Sequence, residues 1–547
     1  MKKIKTMFAT VLMASVLLYL GPPLALGAGG DVLRIAFDAA DITDLHPHFA
    51  HTTQDRGVVH LMFTGLVRYK TGDIGKFEPD LAESWEVSKD GLTWTFHLRR
   101  GVMVHPWKGN PGYELSSEDV VYSFQSAADP ARSAWAAEYT GMTFKSVGSH
   151  TVRITLKKPL SETLFLPKVA DYAGGLIIPK KPAKELGEDF RTNPVGTGPF
   201  IFKEYLPKEK VVTVRNQKFY RGAPKLAGVE VVFMSDLSSR KFGLQSKELD
   251  VIEGPPSQPW VEEMRRLPGV EVDIFGPGEA GVLHFNLTKK PFDDIRVRRA
   301  IGYCLSRDEV VTTIGKAIAE PVYSEIPNPQ PGWITREQAK LRGLQDGKDY
   351  LYEVNRKKAK ELLAEAGFPK GLKTEFYMTE RGEYQVPTQN VVAQLRECGI
   401  NAKLIVVDHS TYHHNIRADM NTIVLYNCWR PTADVKLTYF THSDAVVVTG
   451  KKPNTNFSHI GAADADGDGK VDSVDYLIEV AREMLDAQGQ KALWQEAQFK
   501  LLDRITAYPL FIKRFTFARQ KYVEWGYDLQ STLILSPQIN ELTSITK

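Results

Sequence analysis

Hydrophobic and polar residues alternate from Trp85 to Val87 and again from Thr93 to Leu98, with Lys89-Asp90-Gly91 between the two runs. Alternation puts successive side chains on opposite faces of an extended chain, and Asp-Gly supplies turn chemistry, so this stretch predicts a hairpin. Further on the period changes. Ser116 or Ser117 can cap a helix whose first turn carries Glu118 and Asp119 at the positive end of the helix dipole, with Val120, Val121 and Phe124 as its apolar face. Asn355 to Gly367 repeats the helical spacing through Ala359, Leu362, Leu363 and Ala366, and Gly367 stops it. A second helix near Val391 to Cys398 ends at Gly399, after which Ile400, Ala402, Leu404 and Val406 alternate as a strand; Thr422 to Tyr426 is strand-like too. Strands and helices take turns without repeats or low-complexity linkers, which predicts an α/β fold.

The first residues set the expected compartment. Lys2, Lys3 and Lys5 precede an apolar run from Met7 to Leu20, and small residues follow at Ala25, Gly27 and Ala28. That order predicts a secretory signal peptide over residues 1–28, cleaved near Gly27 or Ala28, and a soluble periplasmic or exported product. No cysteine stands near the cleavage point, so no lipid anchor is expected. The chain carries 69 basic and 66 acidic residues. The three leader lysines account for the whole excess, so the mature chain is formally neutral and electrostatic capture of nucleic acid or membrane is unsupported. About 520 residues remain after the leader, more than one core normally supports, which calls for at least two lobes. Cys304, Cys398 and Cys428 cannot all pair within one chain; one bridge, with Cys428 a candidate partner, and three buried thiols both remain open.

The residue order resembles a known family. Leu81-Ala82-Glu83-Ser84-Trp85, the strand from Asp90 to Arg99 and the helix Ser116 to Phe124 follow one another as they do in the peptide-type, family 5 extracellular solute-binding proteins of ABC transporters. Asn193-Pro194-Val195-Gly196-Thr197-Gly198-Pro199-Phe200 looks like that family's turn, and Arg215-Asn216, Phe219-Tyr220 and Gly222-Ala223-Pro224 like the segment after it. Phe285-Asn286, Pro291-Phe292, Arg296 to Ala300, Lys358-Ala359 to Gly367-Phe368 and Tyr508-Pro509-Leu510 continue the likeness. The resemblance implies a two-lobed periplasmic binding protein fold of type II with an extra subdomain. Lobe one would be discontinuous over 31–74, 194–277 and 515–547, the subdomain would cover 75–193 and lobe two 278–514. It further implies a monomer that captures a peptide or peptide-sized solute between its lobes and delivers it to a membrane permease, without catalysis. An oligosaccharide ligand and presentation of the solute to a chemoreceptor are the alternatives.

The resemblance places the ligand wall at Asn427-Cys428-Trp429-Arg430-Pro431-Thr432-Ala433-Asp434, where the family has a tryptophan followed by acidic positions. In its peptide binders the acid three places after that tryptophan receives the ligand's amino terminus; here that place holds Thr432, whose neutral hydroxyl supplies no charge-assisted bond. Asp434 is the nearby substitute. Trp429 offers a flat apolar face and Arg430 a fork for a carboxylate.

A second pattern lies in the same lobe. Asp464, Asp466, Asp468, Lys470 through its carbonyl, Asp472 and Asp475 occupy positions one, three, five, seven, nine and twelve of a loop that resembles the calcium loop of dockerin and EF-hand modules, with Gly469 at the sharp turn. Five carboxylates in so short a loop repel unless a hard cation neutralises them, so a structural Ca2+ is expected. Asp stands where EF-hands have a bidentate Glu, and Phe457 to Ala463 does not read as an entering helix, whereas Leu477, Ile478, Val480 and Ala481 suggest an exiting one. A single loop argues against an adhesive dockerin, which carries two. The histidines His46, His48 and His51, and His413-His414 read as a strand pair facing opposite ways, are expected to be ordinary packing residues. No G-x-S-x-G, HExxH or P-loop is present, and Gly196-Thr197-Gly198 reads as a tight turn before a strand, so no enzyme is expected.

Overall fold

The structure is a computed structural model that describes residues 31–447, 454–461 and 473–546. The expected leader, and Asp464 to Asp472 of the acidic loop, lie outside the described residues.

Val32–Phe37 buries side chains on both faces, as a central parallel strand must. It pairs in parallel with Gly228–Phe233 on one side and Val251–Gly254 on the other. This is the middle of a nine-stranded sheet. Beyond Gly228–Phe233 the sheet continues antiparallel through Lys210–Arg215 and Phe200–Leu206. Beyond Val251–Gly254 come Ala507–Gln520, Val270–Phe285 and, at the far edge, Ile423–Cys428. The two long strands feed two separate cores: Phe275 and Phe517 pack with Leu33 and Val231, whereas Phe285, Tyr508 and Phe511 pack with Val297, Leu395 and Leu425. Their pairing breaks register between Phe275 and Glu279 and again between Gly281 and Val282. Two lobes built on one shared pair of strands make this a mixed α/β, two-lobed fold.

The expected hairpin forms as Ala82–Val87 and Thr93–Leu98, with Trp85 opposite Phe96. Gly91 takes a positive φ of 69° that a Cβ would strain, and Asp90 accepts the Leu92 amide at 3.0 Å to close the turn. The pair extends into a four-stranded sheet with Thr151–Thr155 and Thr143–Ser146. Ser116 is the helix cap; the helix runs Ser117–Ala127, and Asp119 reaches back to accept the Ser116 amide at 2.9 Å. Trp94 is buried and stacks on Phe165 with ring centres 4.4 Å apart. In the second lobe the helices Arg356–Glu365 and Gly382–Glu397 pack around a parallel pair, Leu372–Thr379 and Ile400–Val407. The second helix begins well before Val391, because its polar first turns and Pro387 hide the helical period from the sequence.

Two expectations change. His413-His414 lies on a helix, His409–Arg417, not a strand, because Asp408 caps it by accepting the Thr411 amide at 2.9 Å. One turn of helix then sets His409 beside His413, their Nε2 atoms 3.1 Å apart. Burial, with Arg417 beside it, lowers His413 to about 4. His46 and His48 are buried packing residues, and His48 is lowered to about 4 by burial. Of the cysteines, Cys304 and Cys398 form the bridge, tying the Ile295–Cys304 helix to the Gly382–Glu397 helix, and Cys428 is left as a buried free thiol. Among the described residues no helix is long and apolar enough to cross a membrane.

Candidate functional site

Ile423–Cys428 is wholly buried and delivers the chain to Trp429, after which Thr432 caps the helix Ala433–Thr441 by accepting the Val435 amide at 3.2 Å. The start of this helix forms one wall of a cavity of about 320 Å³ through Pro431, Thr432, Asp434, Val435, Thr438 and Tyr439. The opposite wall comes from far away in sequence: Tyr69, Trp135, Tyr139 and Tyr172. A second cavity of about 260 Å³ shares Tyr69, Pro167, Pro431 and Thr432 with the first and adds Phe77, Trp85 and Gln330. The size and the ring-rich lining suit a small organic solute held without covalent chemistry.

Two ion pairs flank the rings. Arg482 donates from Nε to Asp434 at 2.8 Å and from its terminal nitrogen to the Thr438 hydroxyl. Burial raises Asp434 above its ordinary carboxylate value, and Arg482 pulls the other way. Across the cavity Lys168 pairs with Glu138, and the Tyr139 hydroxyl donates to the Lys168 carbonyl at 2.8 Å. Each charge on the cavity rim thus already faces an opposite one.

The five residues predicted for ligand contact divide in the structure. Thr432 and Asp434 line the cavity. Trp429 packs against the core of the first lobe, and its buried Nε1 has no hydrogen-bond partner among the described residues. Arg430 donates to the Trp429 carbonyl at 2.7 Å, and its guanidinium lies 5.5 Å from the Tyr439 ring centre and 5.3 Å from that of Phe440. Asn427 donates to the Glu383 carbonyl at 3.3 Å. Neither Arg430 nor Asn427 borders the cavity. Of the six calcium-loop positions only Asp475 is described; it sits in the first turn of Val474–Glu483, accepts the Ser443 amide at 3.0 Å and lies 4.0 Å from His442 Nδ1. Sequence reasoning missed Tyr69, Trp135, Tyr139, Tyr172, Tyr439, Lys168 and Arg482. Tyr439 was within reach, since positions 432, 435 and 439 share one helix face; the others converge only in three dimensions. A larger cavity, about 650 Å³, lies around Arg307, Tyr323 and Trp333 and touches none of the predicted residues.

Known proteins place this architecture. The profile of bacterial extracellular solute-binding proteins, family 5 middle region, matches residues 76–444. The chain belongs to that family. Among curated proteins it is similar to heme-binding protein A of Haemophilus influenzae, 32% identical over 344 residues that span 58% of each chain. It is also similar to the dipeptide-binding protein of Escherichia coli, 29% identical over 387 residues, 66% of this chain and 69% of that one. The match thus spans little more than half of the first relative's length. Among solved structures, the binding protein MoaA of A. tumefaciens R10 in complex with mannopinic acid superposes with a TM-score of 0.72 at 34% identity, covering 95% of this chain and all of that one.

Proposed function

We propose that this protein is an extracytoplasmic receptor that closes its two lobes over a peptide or peptide-sized solute and hands it, unaltered, to the permease of an ABC transporter. The observation that carries this reading is the cavity itself: four rings from the first lobe's side facing the Pro431–Tyr439 segment of the second. A solute touching both walls favours the closed form by its extra affinity for that form, which is all a receptor of this kind needs. The lobe boundaries set out from the sequence, leader cleavage, extracytoplasmic residence and a monomeric state belong to the same proposal. The rim acid Asp434 is already engaged by Arg482, so a free peptide amino terminus must displace a guanidinium to reach it. Titration calorimetry and small-angle scattering with dipeptides, tetrapeptides and oligosaccharides test the reading. Heat of binding with compaction on a peptide supports it; the same response to oligosaccharides alone moves the assignment to sugars, and turnover of any solute overturns it.

For the acidic loop we propose a structural Ca2+ held by Asp464, Asp466, Asp468, Asp472 and the Lys470 carbonyl, with Asp475 at the twelfth position; the spacing supports it. Terbium luminescence of chelator-treated protein is expected to rise to one ion per chain, and its absence at millimolar metal rejects the site.

A further inference from the structure

Beneath the cavity lies a group of reactive side chains that solute capture does not use. Cys428 ends its strand as a free thiol, 5% exposed, and Lys436, 1% exposed, donates from Nζ to its Sγ at 3.0 Å. Glu325, 3% exposed, brings Oε2 to 3.9 Å from the same Nζ, and neither of its carboxylate oxygens has a hydrogen-bond partner among the described residues. The Phe440 ring centre is 4.1 Å from Nζ on another side. His284 is buried nearby with both ring nitrogens unpartnered, and burial, helped by Lys436, holds it neutral. A lysine and a glutamate taken out of water at this cost, without the close contact that would repay it, call for a role beyond bracing. A thiol held against an amine nitrogen, with no nearer partner among the described residues, sets sulfur and nitrogen at a distance from which one oxidation can join them.

We propose that Cys428 and Lys436 are an oxidative modification site, at which hydrogen peroxide joins Sγ to Nζ as a sulfenamide with Glu325 as the proton acceptor. The Cys428 thiol attacks peroxide: an S–O bond forms as the O–O bond breaks, the thiol proton goes to the departing hydroxide, and the products are Cys428 sulfenic acid and water. Lys436, having passed its ammonium proton to Glu325, attacks the sulfur with its free amine; an S–N bond forms, the S–O bond breaks, and the hydroxyl leaves with an amine proton as a second water. The sulfur is oxidised by two electrons and one peroxide is reduced. The two residues bracket Trp429 to Val435, the segment that enters the cavity wall, so the new bond closes a covalent ring around that wall. A thiol reductant reopens it.

The test treats the full chain with hydrogen peroxide and maps its tryptic peptides by mass. The peptide holding both residues is expected to lose about 2 Da, to resist cleavage after Lys436, and to recover both with dithiothreitol. A Cys428 that stays a thiol in excess peroxide, or gains only oxygen while Lys436 remains cleavable, overturns the proposal. Lys436→Arg is expected to stop at a sulfenic acid that dimedone traps; a 2 Da loss in that variant overturns it as well. Glu325→Gln is expected to slow linkage about tenfold or more, and an unchanged rate removes Glu325 from its role. The wild-type mapping stands alone if either variant fails to fold.

Discussion

The two walls of the cavity face one another but are assembled by different rules. The wall of Tyr69, Trp135, Tyr139 and Tyr172 draws on segments more than a hundred residues apart and presents rings. The wall from Pro431 to Tyr439 is one strand exit and one capped helix, and presents hydroxyls, the single ring of Tyr439 and the Asp434–Arg482 pair. The second wall belongs to the lobe that carries the Cys304–Cys398 bridge, whereas among the described residues no disulfide ties the segments that carry the rings. A contiguous wall carried on one capped helix can keep its shape while empty; a wall of dispersed rings keeps its shape only while its core does.

Removing the staple should have the largest effect on stability. Replacing Cys304 and Cys398 together by Ser is expected to cost about 2–4 kcal/mol in a urea unfolding series, because the bridge closes a long loop in the unfolded chain. A loss confined to the second lobe, read by hydrogen exchange, would sharpen the contrast; an equal loss in both lobes would break it. Next in size is Trp135→Ala on the ring wall, expected to weaken a calorimetrically identified solute by about 2 kcal/mol, roughly thirtyfold, with little change in unfolding midpoint. Thr432→Ala on the other wall should do the reverse. Loss of the helix cap costs about 1 kcal/mol of stability, and solute affinity should hardly move if capping is what the hydroxyl does.

The smallest effect is a pH dependence. Asp434 binds its proton more tightly in the folded chain than in the unfolded one, since burial raises it against the pull of Arg482. The fold is therefore favoured most below the unfolded value, and that advantage disappears as pH climbs through the raised folded value. Compared with Asp434→Asn, the wild type should lose stability from about pH 4 upward, and a flat difference between the two would show that Arg482 cancels the burial.

What the sequence made legible follows the same division. The hairpin at Trp85, the cap at Ser116 and the strand before Trp429 are local: alternation and a capping side chain each act within a few residues. The family resemblance pointed to the same contiguous segment, in which Thr432 and Asp434 border the cavity. Trp429, the residue most favoured for stacking, instead packs into the first lobe's core, since an aromatic side chain offers the same apolar face to a ligand or to a neighbouring lobe. The ring wall left no local trace, because Trp135 and Tyr172 come together only once the intervening strands have folded. The start of the helix at Gly382 and the helical setting of His413 were hidden by polar first turns, whose caps weigh little in a pattern of hydrophobic spacing. Nor did the cysteine count choose a pair: that depended on the Ile295–Cys304 and Gly382–Glu397 helices being neighbours.

The strands Val270–Phe285 and Ala507–Gln520 each lend residues to both cores. Neither half can therefore be excised as a self-sufficient fragment, since any cut that separates them strips each piece of a strand on which its interior is built. A fluorescent biosensor made from this chain has to carry its dyes on the surface of the intact molecule, where bending along the register breaks at Phe275 and Gly281 would change the distance between them.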